Sequence, residues 1–425
     1  MDVSTRVVVT GLGAICASGV RPYDIFESVL DGTTSVGDLK IWDDTHWPYN
    51  IGGEIRVDLQ ELIKDRKLLK LIKRTDVFGI FAAEQALESS CIDEFRDGLS
   101  KAEGDHFSER FGLYVGTSGA GYNMQNDFLP LSRIANGDIS SFGQKLEETV
   151  SPMWLLRNLP NNVLCHVGIR NRIKGPNTCV TSQGTSGMSS IIEAYESLRN
   201  NEADHALAIG HDVPLDPQNM LYYQRIGLLS KDYLAPFCYG HSGTVLGEGG
   251  AALVLETLTA ATCRSAIIHA EILGKGSTSE ALGLLPVRSD GNGIARAIWL
   301  ALEQAGLGCD EIGMIVCHGN GTLSSDRSEG VAIRSVFGNS CPPVTSFKWA
   351  FGHTLAASAC LDTILAVLAL RNNIIPAIST TKRVDHFFEG LPIATTCTHP
   401  TSNTALILSR GFGGQNSALV LRGYS

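Results

Sequence analysis

The sequence predicts an α/β fold, because short β-branched segments alternate along the chain with longer segments of helical period. The predicted strands are bounded by glycine and cover residues 7–10, 112–115, 206–209, 252–255, 315–317 and 418–421. The helical candidates between them cover residues 78–89, 189–200, 293–305 and 355–370. The last of these helices is apolar on almost every side, which predicts that it lies inside a large core.

The strand signals reappear after Thr262 in a second series that resembles the first. No low-complexity stretch or proline-rich linker divides the chain. Two fused halves that pack closely explain this pattern better than separate domains joined by linkers. We place the N-terminal half at residues 1–258 and the C-terminal half at residues 259–425.

The composition of the 425 residues excludes several classes of function. The 34 Lys and Arg are outnumbered by 44 Asp and Glu, and the net charge of −10 argues against a nucleic-acid partner. No segment has the roughly 18 uninterrupted apolar residues that a membrane span requires, and no leader pattern is evident, so we expect a cytoplasmic protein. The eleven cysteines are scattered without a C-x-x-C pair, so we expect neither a disulfide framework nor a metal, and no cofactor.

The first segment with chemical potential reads VCHGNGT at residues 316–322 and is followed by Asp326 and Glu329. Here a predicted strand runs into a glycine-rich turn. His318 would then lie at the carboxyl end of the strand, where open α/β sheets bind ligands. Taken alone, the motif is equally consistent with a histidine that is hydrogen-bonded within a tight turn.

The second segment reads SFKWAFGHT at residues 346–354 and precedes a helix of small residues. Lys348 could be a surface lysine that extends toward solvent, and His353 could simply neighbour a helix N-terminus. Together with His318, however, two histidines and a lysine at strand-to-helix junctions indicate a charged catalytic cluster.

The third segment, GPNTCVTSQGTSG at residues 175–187, is an extended run that turns into a helix. Such a turn presents one residue at a helix N-terminus. There the helix dipole lowers the pKa of a thiol, and backbone N–H groups can hold an oxyanion.

With VVVTGLG at 7–13, GTVLGEGGAALVLE at 243–256 and RGFGGQNSALVL at 410–421, these segments make the chain resemble the β-ketoacyl-acyl-carrier-protein synthases of the thiolase fold over essentially its whole length. The resemblance implies a layered α-β-α-β-α architecture of two similar halves. In that family a cysteine takes the acyl chain from a carrier protein. Two histidines assist decarboxylation of the malonyl extender and stabilise the oxyanion.

The resemblance assigns most catalytic positions. His318 and His353 match the two histidines, Lys348 matches the lysine that accompanies them, and Glu329 matches the acid that closes the first histidine motif. Phe412 matches the phenylalanine that gates the acyl pocket.

The glycines on either side of Phe412 complete the expected substrate-binding turn, which consists of Gly411, Phe412 and Gly413.

The nucleophile is the exception. The family cysteine lies eight residues beyond the proline of G-P, and from Pro176 this count reaches Gly184. Glycine cannot form a thioester, and the adjacent Gln183 is not a nucleophile. Other departures are Cys238, His241 and, after GFGG, Gln415.

Neither of the two nearest alternative thiols is expected to act as the nucleophile. Cys179 lies on the strand before the turn and is more readily explained as a small core residue. Cys317 points to the opposite face of its strand from His318 by alternation.

Three interpretations follow from the vacant position. The first is a chain-length factor, the non-condensing partner that forms a heterodimer with a cysteine-bearing ketosynthase paralogue in type II polyketide, polyene or fatty-acid-like elongation. The second is a malonyl-carrier decarboxylase for priming, which would need the histidines and no acyl-cysteine. The third is a β-ketoacyl-ACP synthase whose cysteine has been replaced.

Two further expectations concern partners. The basic segment at residues 64–74 holds six positive residues against one aspartate, and the family resemblance implies contact with an acidic acyl carrier protein. The expected docking residues are Lys67, Lys70, Lys73 and Arg74, although a solvated helix face would explain the run equally well. The strand at residues 178–183 is expected to be central, and in this family it pairs across a two-fold interface.

Overall fold

The computed structural model describes residues 6–42, 47–119 and 124–424. The strands are β1 Val7–Cys16, β2 Gly37–Asp38, β3 Ile51–Gly52, β4 Phe111–Thr117, β5 Asn177–Thr181, β6 His205–Asp212, β7 Gly249–Thr257, β8 Ala270–Ser279, β9 Met314–Val316, β10 Val344–Thr345, β11 Thr404–Gly411 and β12 Gln415–Gly423. All six predicted strands are present, although β9 ends one residue before Cys317.

The helices of the first half are α1 Pro22–Leu30, α2 Leu59–Leu62, α3 Arg74–Ser90, α4 Ile92–Asp97, α5 Lys101–Glu109, α6 Met124–Ala135, α7 Ile139–Thr149, α8 Trp154–Arg157, α9 Asn162–Arg170, α10 Ser186–Arg199 and α11 Pro217–Arg225. The remaining helices are α12 Leu258–Cys263, α13 Asn292–Ala305, α14 Leu323–Phe337, α15 Lys348–Phe351 and α16 Ser358–Arg371. The four predicted helices correspond to α3, α10, α13 and α16.

Two sets of five strands have the same topology. The order is β5-β4-β6-β7-β1 in the first set and β10-β9-β11-β12-β8 in the second, so each reads third, second, fourth, fifth, first. In each set the first three strands in this order are parallel to one another, and the fourth strand is antiparallel to both of its neighbours. An antiparallel contact between β1 and β8 joins them. The predicted architecture of two similar α/β halves is confirmed.

We refer to each set of five strands as a sheet. Side chains alternate along the strands, so each sheet has two buried faces. In β6, Leu207 and Ile209 belong to the apolar cluster around α3, whereas Ala206 and Ala208 belong to the main core around α10 and α16. Helices α10 and α16 therefore lie between the two sheets, α3 covers the outer face of the first, and α13 covers the outer face of the second. These are the five layers of the expected architecture.

Close approach between layers explains the glycines of the first motif. A Cβ on Gly13 would lie 2.0 Å from the carbonyl oxygen of Ala82 in α3, so only glycine lets β1 pack against this helix. Helix α16 is buried from Ser358 to Leu370, as its all-round apolar sequence predicts. None of the helices in the described part of the chain combines the length and apolar content needed to cross a membrane.

The strand β5 corrects one expectation. It is the edge strand of the first set rather than a central one, and its Asn177, Thr178 and Thr181 are exposed. Cys179 on this strand is half-buried instead of lying in the core.

Candidate active site

The two predicted histidines meet at one buried position between the sheets. His318 lies two residues past the end of β9, and His353 lies between α15 and the 3-10 turn that leads into α16. Their ring centroids are 5.1 Å apart and the rings are nearly perpendicular, at 79°. Both side chains are almost fully buried. The tertiary fold therefore brings together two residues that are 35 positions apart in the sequence.

Backbone donors define which ring nitrogen of each histidine carries the proton. The N–H of Arg410 donates to Nδ1 of His318 at 3.3 Å, and the N–H of Leu355 donates to Nδ1 of His353 at 3.3 Å. An amide N–H can only donate, so both Nδ1 atoms are acceptors and the proton of each neutral ring is on Nε2. Each histidine thus offers an N–H donor from the edge of the ring that faces away from these backbone contacts.

Both imidazoles are held in the neutral form. Burial lowers the pKa of His318 well below its usual range, and the positive charges of Lys348, of His353 when protonated and of Arg410 lower it further. Burial also lowers the pKa of His353, again with a contribution from Lys348. Neutral rings with Nε2–H groups are suited to donating hydrogen bonds to a developing oxyanion.

Lys348 lies behind the histidines in an ion pair. Its Nζ is 2.6 Å from Oδ2 of Asp362 in α16, and both side chains are buried. Burial raises the pKa of the Asp362 carboxyl, and Lys348 opposes this effect. His318 and His353 line a small cavity, and Lys348 is not among its lining residues. Lys348 therefore affects the two histidines through its charge, which lowers their pKa values. Sequence reasoning missed Asp362, although a single acid in an apolar helix was a usable signal.

The turn that carries His318 is held by two buried carboxylates. Glu329 accepts hydrogen bonds from the backbone N–H of His318 at 2.7 Å and of Gly319 at 3.0 Å. Asp326 accepts from the N–H of Gly321 at 3.2 Å, and Nε2 of His241 lies 3.6 Å from it. Burial raises the pKa of each carboxyl to about 7. Neither carboxylate lines the cavity, so Glu329 is a positioning residue.

Gly184 lies in the 3-10 turn Gln183–Thr185 that precedes α10. A Cβ built on Gly184 would lie 3.8 Å from Cε1 of His353 and 3.0 Å from the carbonyl oxygen of Arg410. The position is therefore beside the histidines, with no side chain of its own.

The residues around Gly184 have separate contacts. Gln183 has a left-handed φ of 53°, which is uncommon for a residue with a side chain, and its Nε2 is 3.5 Å from the carbonyl oxygen of Ser118. Gln415 accepts a hydrogen bond from the hydroxyl of Thr185 at 2.6 Å.

Phe412 lines two cavities. The smaller cavity, of ≈ 90 Å³, is lined among others by Gly184, His318, His353 and Gly411. The larger cavity, of ≈ 500 Å³, has a mixed polar and apolar lining that includes Gln183. Its ring packs against Tyr223 with the centroids 5.8 Å apart. Gly413 has a φ of 76°, and its N–H donates to the carbonyl of Leu284 at 2.8 Å. Gln183 is therefore among the residues that line the larger cavity and not among those that line the smaller cavity with the histidines.

Comparison with known proteins agrees with this arrangement. The profile of the β-ketoacyl synthase N-terminal domain matches residues 4–261, and that of the C-terminal domain matches residues 269–382. The chain belongs to the β-ketoacyl synthase family.

Individual relatives of this synthase-family chain align over most of its length. It is 29% identical to 3-oxoacyl-[acyl-carrier-protein] synthase 2 of Coxiella burnetii over 427 residues, with 98% of each chain covered. It is 30% identical to nodulation protein E of Rhizobium sp. over 383 residues, which is 89% of this chain and 90% of the relative. The solved ishigamide ketosynthase/chain length factor superposes with a TM-score of 0.85 at 26% identity, covering 99% of both chains.

None of the eleven cysteines of this synthase-family chain is among the residues that line the cavity at the histidines. Cys317 is fully buried, and burial raises its pKa well above the usual range. Burial also raises the pKa of the half-buried Cys179, which lies on β5. Neither thiol has the environment that activates a cysteine nucleophile.

The basic segment differs from a continuous cationic helix face. Only Leu68–Lys70 forms a short 3-10 turn, and Lys67 and Lys70 are exposed. Arg74 is bound to the buried carboxylate of Glu248 at 2.7 Å and also lines the larger cavity, so its part in docking stays a prediction. Lys73 is half-buried and lines the larger cavity.

The raised pKa of Glu329 predicts a dependence of stability on pH. Because the folded-state pKa is about 7 and the ordinary value is 4.5, the folded protein binds more protons between these values, and its stability falls as pH rises from 4.5 to about 7. Glu329→Gln should make this fall shallower in urea unfolding measured across that range. The fall should persist in the variant, with a smaller slope, because Asp326, whose pKa is also raised to about 7, is retained. An identical slope in both proteins would contradict the assignment.

Proposed function

We propose that this chain is a non-condensing, chain-length-factor-like subunit that pairs with a cysteine-bearing ketosynthase paralogue in polyketide, polyene or fatty-acid-like chain elongation. The observation that carries the proposal is the glycine at position 184, beside His353, in a cavity that no cysteine lines. Condensation in this family needs a nucleophilic side chain for the acyl group, and glycine has none. The likeness to the ishigamide ketosynthase/chain length factor and to 3-oxoacyl-carrier synthases supports a family role in chain elongation.

The edge strand β5 supports a protein partner. Its outer side carries no paired strand among the described residues, and an open edge is a ready template for pairing with another chain. Sγ of Cys179 donates to the carbonyl of Pro160 at 3.6 Å, which ties the edge to the segment that follows α8. Helix α8 and the segment after it expose apolar side chains at Leu155, Leu156 and Leu159. An open edge beside exposed leucines fits an interface with a homologous chain.

We predict that co-expression with a cysteine-bearing ketosynthase gives a heterodimer in native mass measurement. Thr178→Lys adds a charge to the exposed edge of β5 and should reduce the heterodimer severalfold. Thr396→Lys, at an exposed position in the C-terminal half, is the matched control and should assemble like the parent. A stable homodimer that ignores the active synthase would refute the heterodimer.

The vacant position predicts a gain of reactivity. Gly184→Cys should place a thiol at the start of α10, where the helix dipole lowers its pKa, after the carbonyl of Arg410 moves by a few tenths of an ångström. An acyl-carrier or synthase-directed electrophile should then label residue 184 in peptide mass mapping. The parent should show no labelling at Cys179 or Cys317. Labelling of either thiol in the parent would contradict the absence of a nucleophile.

A second candidate function is decarboxylation of a malonyl-carrier to an acetyl-carrier. It is favoured by the two neutral histidines, which retain Nε2–H donors next to the cavity. Loss of CO₂ leaves an enolate whose oxygen such donors stabilise, and no thioester to the protein is needed. We expect the isolated chain to release acetyl-carrier if this function holds, with a loss of about 10²-fold or more in His318→Ala. Absence of turnover in the isolated chain leaves the chain-length-factor proposal standing.

We further propose that Lys67 and Lys70 bind the acidic carrier protein. Both side chains are exposed and lie close in sequence to Lys73, which lines the larger cavity. Reversing their charges in Lys67→Glu/Lys70→Glu should weaken carrier binding severalfold at low salt and much less at high salt. The control Lys101→Glu/Lys382→Glu changes two exposed lysines elsewhere by the same net charge. Equal binding by both double variants at low salt would show that the segment is only a solvated surface.

A further inference from the structure

Arg410 is a buried cation beside the histidines to which no role has been assigned. Its guanidinium makes three hydrogen bonds: Nε to Oδ1 of Asn416 at 2.9 Å, one terminal nitrogen to the carbonyl of Ser325 at 3.2 Å, and the other to Oε1 of Glu280 at 2.7 Å. The side chains of Arg410 and Glu280 are both almost fully buried. The side chain is therefore locked in one orientation.

Glu280 connects this ion pair to the turn that carries Phe412. Its backbone N–H donates to the carbonyl of Gly414 at 2.9 Å, and its Oε2 accepts from the N–H of Arg288 at 2.7 Å. Arg410 and Asn416 are also paired across the β11–β12 hairpin. The ion pair thus joins the loop after β8 to the hairpin that encloses the Phe412 turn.

The main chain of Arg410 faces the site in two directions. Its N–H donates to Nδ1 of His318, and its carbonyl oxygen lies 3.0 Å from where a Cβ of Gly184 would be. The position of this one residue therefore controls both the protonated nitrogen of His318 and the space above Gly184.

The two histidines differ in how securely the tautomer is held. Nδ1 of His353 contacts both the N–H of Leu355 and the hydroxyl of Ser358, at 3.3 and 2.9 Å. Across residues 6–42, 47–119 and 124–424, the N–H of Arg410 is the one hydrogen-bond partner of the His318 ring. His318 therefore depends on the placement of residue 410, whereas His353 does not.

We propose that the buried Arg410–Glu280 ion pair is a positioning device, which holds the N–H of residue 410 against Nδ1 of His318 and so keeps the ring proton on Nε2. Breaking the pair leaves a buried charge without its partner, so the hairpin end relaxes and the 3.3 Å hydrogen bond to His318 is lost. The ring then exchanges between its two neutral tautomers. The idea that the Nε2 proton of His318 stabilises an oxyanion rests on the proposed function. The tautomer of His318 can be tested without that function.

Nuclear magnetic resonance of the full chain labelled with ¹⁵N-histidine tests this proposal. Two-bond ¹H–¹⁵N correlations distinguish the Nδ1–H, Nε2–H and doubly protonated rings, and a His318→Asn variant identifies the signals of residue 318. The parent should show His318 as a single Nε2–H tautomer. Arg410→Met removes the charge but keeps the backbone N–H, and it should give a mixture of tautomers at His318 with His353 unchanged.

A second buried ion pair supplies the control. Arg264 is paired with the buried carboxylate of Glu256, which also contacts Nδ1 of His205, so Arg264→Met removes a buried arginine from an ion pair elsewhere in the fold. That variant should lose stability and retain the parent signals of His318.

If Arg410→Met fails to fold, Glu280→Gln provides the comparison, with a measurable Nδ1–H fraction expected at His318. An unchanged His318 tautomer in whichever of these two variants folds would overturn the proposal. The NMR measurement needs no partner subunit, carrier protein or enzymatic turnover. Its result is therefore independent of whether the proposed function is correct.

Discussion

The pairing of buried charges inside an apolar core is the constraint on which this site depends. The histidines lie between two sheets, where an unpaired charge is costly, and each charged group near them has a partner. Lys348 is neutralised by Asp362, and Arg410 by Glu280. Glu329 instead accepts two backbone N–H groups, which shapes the turn that carries His318. Ion pairs and hydrogen bonds within the protein therefore replace water around these charged groups. The same contacts hold the turns that carry the two histidines.

The main chain around position 184 is close enough to restrict the side chain there. The carbonyl of Arg410 lies close to the position that a Cβ of Gly184 would take, while the amide of the preceding Gln183 contacts the carbonyl of Ser118 at the larger cavity. The donors on both histidines remain beside this space. The site therefore combines two hydrogen-bond donors with a neighbouring position that has no side chain.

The first sheet ends in an open strand, and this feature links the fold to assembly. Central strands bury both faces and both edges, whereas β5 is half-exposed and adjoins surface leucines. The turn with Gly184 directly follows this strand. A chain that pairs along β5 would therefore be next to the site, so an interface there and the environment of position 184 are physically connected.

The sequence by itself determined the alternation of strands and helices, the repetition in two halves, the fully apolar helix α16 and the absence of a side chain at Gly184. These properties are local, because periodicity and residue type are set by neighbours along the chain. Only the tertiary structure decided that β5 is an edge, that Arg74 binds Glu248, that Gln183 lines the larger cavity, and that the acid beside Lys348 is Asp362. The contacts that settle these features join residues up to 174 positions apart, as for Arg74 and Glu248. They arise from the packing of layers, which brings distant charges together where burial forces them to pair.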